Sequence, residues 1–298
     1  MKLNIPQIQS KIKNTFNEVD FYEDTHTYIH RPTGKELTSV TTVLGKYKTP
    51  FIIEEQLPKF CNKHELVIEH VDYAWKYMNQ YASITGTLTH NFLEHHYNSI
   101  INNTKKFTDN DFKELFMKEL LTINRLDSEN PTETLDKLHK INPEKTNPKG
   151  RLKKLLRQAK KFIKDHNDKI EPVLMEVLIY DLDYGVAGTF DSIFYSMMKN
   201  WLVLTDYKTN VNLKTKNKFQ NFYEPIDVFE QTDLNAYKLQ LSIYRHILEK
   251  HIPELKELFW KNNMIPWFSE KNLTYQLKYI DYIEDDAIKL LTHFSNNR

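Results

Sequence analysis

Trp201-Leu202-Val203-Leu204-Thr205-Asp206-Tyr207-Lys208 is an apolar run that ends on an acid and a lysine. Two residues apart on an extended segment, Asp206 and Lys208 point to the same face. The end of a buried strand is a costly place for two charges unless something pairs with them. A metal ion on the carboxylate, with the ammonium beside a phosphate, is one arrangement that meets the cost. Upstream, Val186 to Tyr195 is a second strand-like run containing Gly188-Thr189-Phe190-Asp191. A third, Val173 to Tyr180, contains Glu176, and Asp181-Leu182-Asp183-Tyr184-Gly185 reads as the turn between these two. Three successive strands with short connections predict an antiparallel meander. Each of them contributes one acid.

Around this centre the pattern mixes helix and strand, which predicts an α/β (α+β) class with a mixed central sheet flanked by helices. Residues 27–40 read as a β-hairpin around Pro32-Thr33-Gly34. Residues 52–80 are mixed and helical in tendency. From Ser83 to Ile101 apolar residues recur near the 3.6 period, and 107–125 reads as another helix. Residues 126–148 carry three prolines and read as a loop or insertion, followed by a basic helix over 150–168. A long polar segment spans 209–232, long enough to suggest a role of its own. Leu234 to His251 is an amphipathic helix, Leu273 to Ile280 a strand and 284–294 a closing helix. One domain of 298 residues is expected, with an N-terminal region over 1–82, a core over 83–298 and a basic insertion near 126–168.

Composition narrows the classes. Hydrophobic residues make up 40% and charged residues 27%, as in ordinary soluble globular proteins. The single cysteine, Cys61, excludes an internal disulfide framework and a four-cysteine iron–sulfur cluster. No G-x-x-x-x-G-K-[ST] occurs, so no nucleotide cofactor is expected. No run approaches a membrane span and no apolar signal core opens the chain, which points to a cytoplasmic protein.

The three acids and Lys208 suit phosphodiester hydrolysis. Divalent ions on carboxylates can deprotonate water, neutralise the attacked phosphate and stabilise the leaving oxygen. A lysine beside them can orient water and stabilise phosphate charge. The formal net charge is only +1, so charge distribution must carry any case for nucleic acid. Between Lys137 and Lys164 there are eleven Lys or Arg against one acid, Glu144. Arg151, Lys153, Lys154 and Arg157 lie in this run, which reads either as a phosphate track or as a solvated helix face. Lys214, Lys216 and Lys218 form a second basic patch, followed by Phe219, Phe222 and Tyr223, which could stack on bases or pin the loop to the core.

Together these features resemble the PD-(D/E)-x-K phosphodiesterase superfamily, and within it the RecB-like exonuclease branch. Gly86-Thr87-Leu88-Thr89-His90 resembles the branch's G-x-x-x-H helix. Gly188-Thr189-Phe190-Asp191 and Asp206-Tyr207-Lys208-Thr209 resemble its G-x-x-D and D-x-K-T strands. Gln240-Leu241-Ser242-Ile243-Tyr244 resembles its Q-x-x-x-Y helix. The hairpin leading to Ser39-Val40-Thr41 is similar to phage and mitochondrial-genome-maintenance members. The resemblance implies a restriction-endonuclease-like core holding one or two Mg²⁺ or Mn²⁺ ions on Asp191 and Asp206, with His90 as a further ligand. Lys208 would be the phosphate and water partner, and Glu176 a second-metal ligand or water activator. Gly86 would let the backbone approach DNA, and Gln240 and Tyr244 would contact phosphates, unless they are packing residues. The implied activity is a DNA exonuclease acting on single strands or ends in replication, recombination or repair, with any helicase or recombination partner on a separate chain. An endonuclease, and a catalytically silent DNA-binding scaffold, stay open as alternatives.

Overall fold

The computed structural model describes residues 4–25, 27–104, 136–138, 140 and 148–298. The helix expected over 107–125 and most of the insertion expected over 126–148 lie outside the described residues. In chain order the elements are α1 (Ile5–Thr15), β1 (Val19–Tyr22), β2 (Thr27–His30), β3 (Lys35–Ser39), α2 (Val40–Lys46), α3 (Ile53–His64) and α4 (Ile68–Ile101). Then follow α5 (Pro148–His166), β4 (Ile170–Asp181), β5 (Val186–Ser196), β6 (Trp201–Thr205) and α6 (Asp233–His251). A 3₁₀ turn over Pro253–Glu257, β7 (Asn262–Trp267), β8 (Gln276–Asp281) and α7 (Glu284–Asn296) complete the chain.

Among the described residues, eight strands form one mixed sheet. β4, β5 and β6 are the antiparallel meander expected from the sequence. β5 is its hub. One edge pairs with β4 throughout, while the other is shared: β3 runs parallel to Val186 and Ala187, and β6 pairs antiparallel with Ser192–Ser196. Among the described residues, Gly188–Asp191 therefore have no strand partner on that edge. β6 continues through β7 to β8. The N-terminal hairpin joins the sheet through β3, so it is not separate from the core.

Alternation of side chains sends apolar residues to both faces. Leu202 and Leu204 of β6 pack with α1, α2, α6 and α7, and Val203 packs with α4 and α5 on the opposite face. Helical layers thus cover both sides of the sheet. α4 is one helix of 34 residues, about 51 Å long at 1.5 Å per residue. Its second half lies on the sheet through Leu88, Phe92 and Leu93. Its first half carries α3 through a small cluster of Leu57, Cys61 and Val71. A division near residue 82 would therefore cut an unbroken helix.

Several elements, α1 and β7 among them, have no counterpart in the sequence reading. α1 is capped by the Asn4 side chain, which accepts from the Gln7 amide, and is anchored by buried Ile5 and Ile12. β7 opens on two asparagines and contains Pro266, which weakens any strand pattern. Its proline tolerates the position because the Pro266 carbonyl accepts from the Lys208 amide, so only its acceptor is used there.

Candidate active site

Register sets the site. Met175 lies opposite Ser192 and Val177 opposite Phe190, so Glu176 stands across from Asp191. Ser192 lies opposite Thr205, and one residue further Asp206 stands across from Asp191. The fifteen-residue spacing of Glu176, Asp191 and Asp206 thereby becomes one row across three strands. Glu176 has φ of 47°, a left-handed backbone rare for a strand residue. Holding such a conformation costs about 1–3 kcal/mol, and such strain is concentrated at functional sites.

α4 brings His90 over this row. Its Nδ1 lies 3.4 Å from Asp191 Oδ1. Ligand atoms of His90, Glu176 and Asp191 all lie within 4.8 Å of one another. The other Asp191 oxygen accepts the Tyr207 amide hydrogen, which fixes the carboxylate plane. Asp206 is outside this trio, its carboxylate held by the Lys208 ammonium. Lys208 also lies over the Tyr237 ring, 4.4 Å from the centroid. The trio opens onto a cleft of about 520 Å³ lined also by Ser83, Gly86, Thr87, Asn91, Glu94 and Thr209.

The electrostatics show an excess of negative charge. Burial, then the Asp191 charge, raises the Glu176 carboxyl to about 8. Burial also raises Asp206, to about 6, against the pull of Lys208. For His90 burial alone would lower the value, but Asp191 outweighs it and lifts the imidazolium to about 9. For Asp191 burial acts upward, yet His90, Lys208 and the Tyr207 amide hold it below its usual value. Two carboxylate ligands and one imidazole, backed by a third acid, suit a divalent cation better than a lone ammonium.

Two glycines let helices reach this centre. A Cβ on Gly86 would lie 3.0 Å from Thr209 Oγ1, so α4 sits directly on the segment after Lys208. A Cβ on Gly188 would lie 2.6 Å from the Tyr244 ring, so α6 presses onto β5 at the stretch where one edge of that strand is unpaired among the described residues. Gly188→Ala is therefore expected to lower stability by about 1–3 kcal/mol, as overpacking does. In urea denaturation, Tyr244→Ala in the same chain should cost less than it does alone, because the clash is removed. Strictly additive losses would show that the two residues do not press on each other.

The remaining expected site residues separate by environment. Gln240 and Tyr244 are buried, and the Gln240 amide donates to Tyr244 Oη at 3.1 Å. Through Tyr244 they meet β5 at Gly188, beside the carboxylate row. Arg151 is buried as well and does not lie on an exposed track. Its guanidinium donates to Thr85 Oγ1 at 2.9 Å, Glu270 Oε1 at 2.8 Å and the Thr209 carbonyl at 2.6 Å. Lys153, Lys154 and Arg157 occupy the exposed face of α5, although Lys154 also reaches the Glu270 carbonyl at 3.2 Å. Lys214, Lys216 and Lys218 are exposed on the 209–232 loop. Phe222 is buried, whereas Phe219 is 95% exposed, so the aromatic group after this patch divides between core and surface. Asp181 is no cleft residue: it is buried between Lys250 and His251 and accepts the Tyr184 amide.

A carboxylate row with a lysine at its end, on a mixed sheet between helical layers, defines a class of phosphodiester hydrolases that work through divalent metals. The model of the PD-(D/E)XK nuclease superfamily matches residues 68–294, and the chain belongs to that superfamily. It is accordingly a nuclease by family, of a kind that acts on DNA with divalent metals. No curated protein matches the chain significantly. Among solved structures it is similar to one titled "Crystal structure of SSO0001", at 17% identity over 58% of this chain and 68% of the other, with a TM-score of 0.26, a likeness too slight to bear on the fold. Among the described residues, no helix is long and apolar enough to cross a membrane.

Proposed function

We propose that this chain is a metal-dependent exodeoxyribonuclease of the RecB-like branch, acting on single strands or DNA ends. The observation that carries the reading is the convergence of His90, Glu176 and Asp191 beside the Asp206–Lys208 pair. The branch assignment is supported by the order of the G-x-x-x-H, G-x-x-D, D-x-K-T and Q-x-x-x-Y segments, which meet at the two glycine contacts. A divalent cation, Mg²⁺ or Mn²⁺, held by His90, Glu176 and Asp191 with Asp206 alongside would supply Lewis-acid activation of water and phosphate.

The chain's own groups do the positioning. Tyr207 holds Asp191 so that one oxygen stays turned to His90. Lys208, steadied over Tyr237, offers its ammonium to the scissile phosphate and stabilises charge as it develops. Glu176, raised by burial and by Asp191 to about 8 when no divalent ion is bound, would be held ionised by the bound ion, as its ligand or as the group that orients the attacking water. The exposed α5 lysines and the loop lysines would hold the flanking backbone.

The deciding experiment offers circular and linear single-stranded DNA with Mn²⁺. Degradation of linear DNA from one end, with circles left intact, is the expected result. Cutting of circles would make the protein an endonuclease. Absence of any cleavage would leave a DNA-binding scaffold.

A further inference from the structure

Lys208 is pinned at its backbone, so only its side chain has freedom. Its amide donates to the Pro266 carbonyl at 3.1 Å, and its carbonyl accepts the Phe268 amide hydrogen at 2.8 Å. The ammonium at the end of that side chain has two seats. One is the buried Asp206 carboxylate. The other is the face of the Tyr237 ring, one turn into α6, with 4.4 Å from the ammonium to the ring centroid. That ring is braced from the strand that pins Lys208. Tyr237 Oη accepts from Asn210 Nδ2 at 3.0 Å, and the Asn210 carbonyl accepts the Trp267 indole N–H at 2.8 Å. Trp267, the last residue of β7, forms a parallel bridge with Lys208. Lysine, ring and brace thus close a circuit beside the row.

The two seats respond differently to a divalent cation at the row. Asp206 stands across from Asp191, which shares a cluster of possible metal-ligand atoms with His90 and Glu176. A cation there draws on the Asp206 carboxylate and repels an ammonium seated on the same oxygens. An aromatic face attracts an ammonium through its quadrupole and offers no carboxylate oxygen for the two cations to contest. Without that face, the ammonium would fall back on Asp206 and oppose the metal.

We propose that Tyr237 is a positioning residue whose ring draws the Lys208 ammonium aside from Asp206, leaving that carboxylate for the metal and the ammonium for phosphate. The inference rests on the nuclease reading for the metal and the phosphate, and metal affinity tests it apart from cleavage.

The test uses the full chain as wild type, Tyr237→Phe, Tyr237→Leu, Lys208→Met and the pair Tyr237→Leu with Lys208→Met, with thermal melts to verify folding. Mn²⁺ affinity is measured by titration calorimetry without DNA, and cleavage of a single-stranded oligonucleotide is followed at saturating Mn²⁺. Tyr237→Leu is expected to weaken Mn²⁺ binding about tenfold and to lower kcat about tenfold, the scale of a desolvated cation–π contact. KM should stay within about twofold. Tyr237→Phe keeps the ring face and should hold both quantities within about threefold of wild type. In Lys208→Met, where no ammonium competes, adding Tyr237→Leu should change neither. A folded Tyr237→Leu protein with wild-type Mn²⁺ affinity overturns the proposal. So does Tyr237→Phe binding as weakly as Tyr237→Leu, or a loss that persists in Lys208→Met. If the wild type shows this pattern of Mn²⁺ affinities but cuts no DNA, the nuclease reading fails and the positioning of Lys208 stands. If the wild type cuts DNA and Tyr237→Leu binds Mn²⁺ and cuts equally well, the nuclease reading stands and the proposal fails.

Discussion

Asp191→Asn is expected to lower DNA cleavage by about 10³-fold, the several kcal/mol that a metal Lewis acid contributes. The substitution keeps the shape that accepts the Tyr207 amide but removes the central charge of the row. It should also abolish the rise in melting temperature that Mn²⁺ gives the wild type. That rise follows from ligand linkage and reaches about 2.7 kcal/mol at one hundred times Kd. Without metal, Glu176 and Asp206 lose a like charge but His90 loses the carboxylate it pairs with, so each protein's Mn²⁺ shift is measured against its own metal-free melt. Lys208→Met makes the contrast. It should lose about 10²–10³-fold in rate, as removal of a transition-state donor does, yet keep the Mn²⁺ shift. Asp191→Asn retaining either full activity or the full thermal shift would take the metal away from this row.

Arg151→Ala is expected to have the largest effect on stability, about 3–5 kcal/mol, as breaking a buried ion pair does. Arg151 and Glu270 are 8% and 6% exposed, so either partner left alone is an uncompensated buried charge. The guanidinium also joins α4 through Thr85 to the Thr209 carbonyl just after Lys208, so the loss extends to the site. Urea denaturation of Arg151→Ala, Glu270→Ala and the pair should give losses far from additive. Independent losses would show that the two side chains do not stabilise one another.

The parts that sequence made visible are those where pattern and chemistry coincide. β4, β5 and β6 alternate or run apolar and end on turn residues, so their extents were readable to within a few residues. The sequence put one acid on each of the three strands, and their pairing register, fixed by the short hairpins, sets those acids in one row. The environment of each charge was harder to read. Arg151 looked like one more cation of a basic stretch, yet it shares a stripe with Leu155, Gln158 and Phe162, all buried. That i, i+4, i+7 spacing was the available signal. The left-handed backbone of Glu176 and the capture of Asp206 by Lys208 depend on contacts between distant strands and have no local signature.

Gly86 and Gly188 carry a consequence for how this scaffold can vary. One seats α4 on Thr209 and the other seats α6 on β5, from opposite faces of the sheet. At each point a bare glycine backbone meets one side chain, Thr209 Oγ1 or the Tyr244 ring, with no room for a Cβ between them. A tilt of either helix would therefore have to move that side chain, next to the row. The chemistry is consequently tied to a close spacing of helix and sheet, and Thr209, where the 209–232 loop begins, belongs to that contact. Length and charge can vary further along the loop, around Lys214, Lys216 and Lys218, while the gap at the two glycines stays constant.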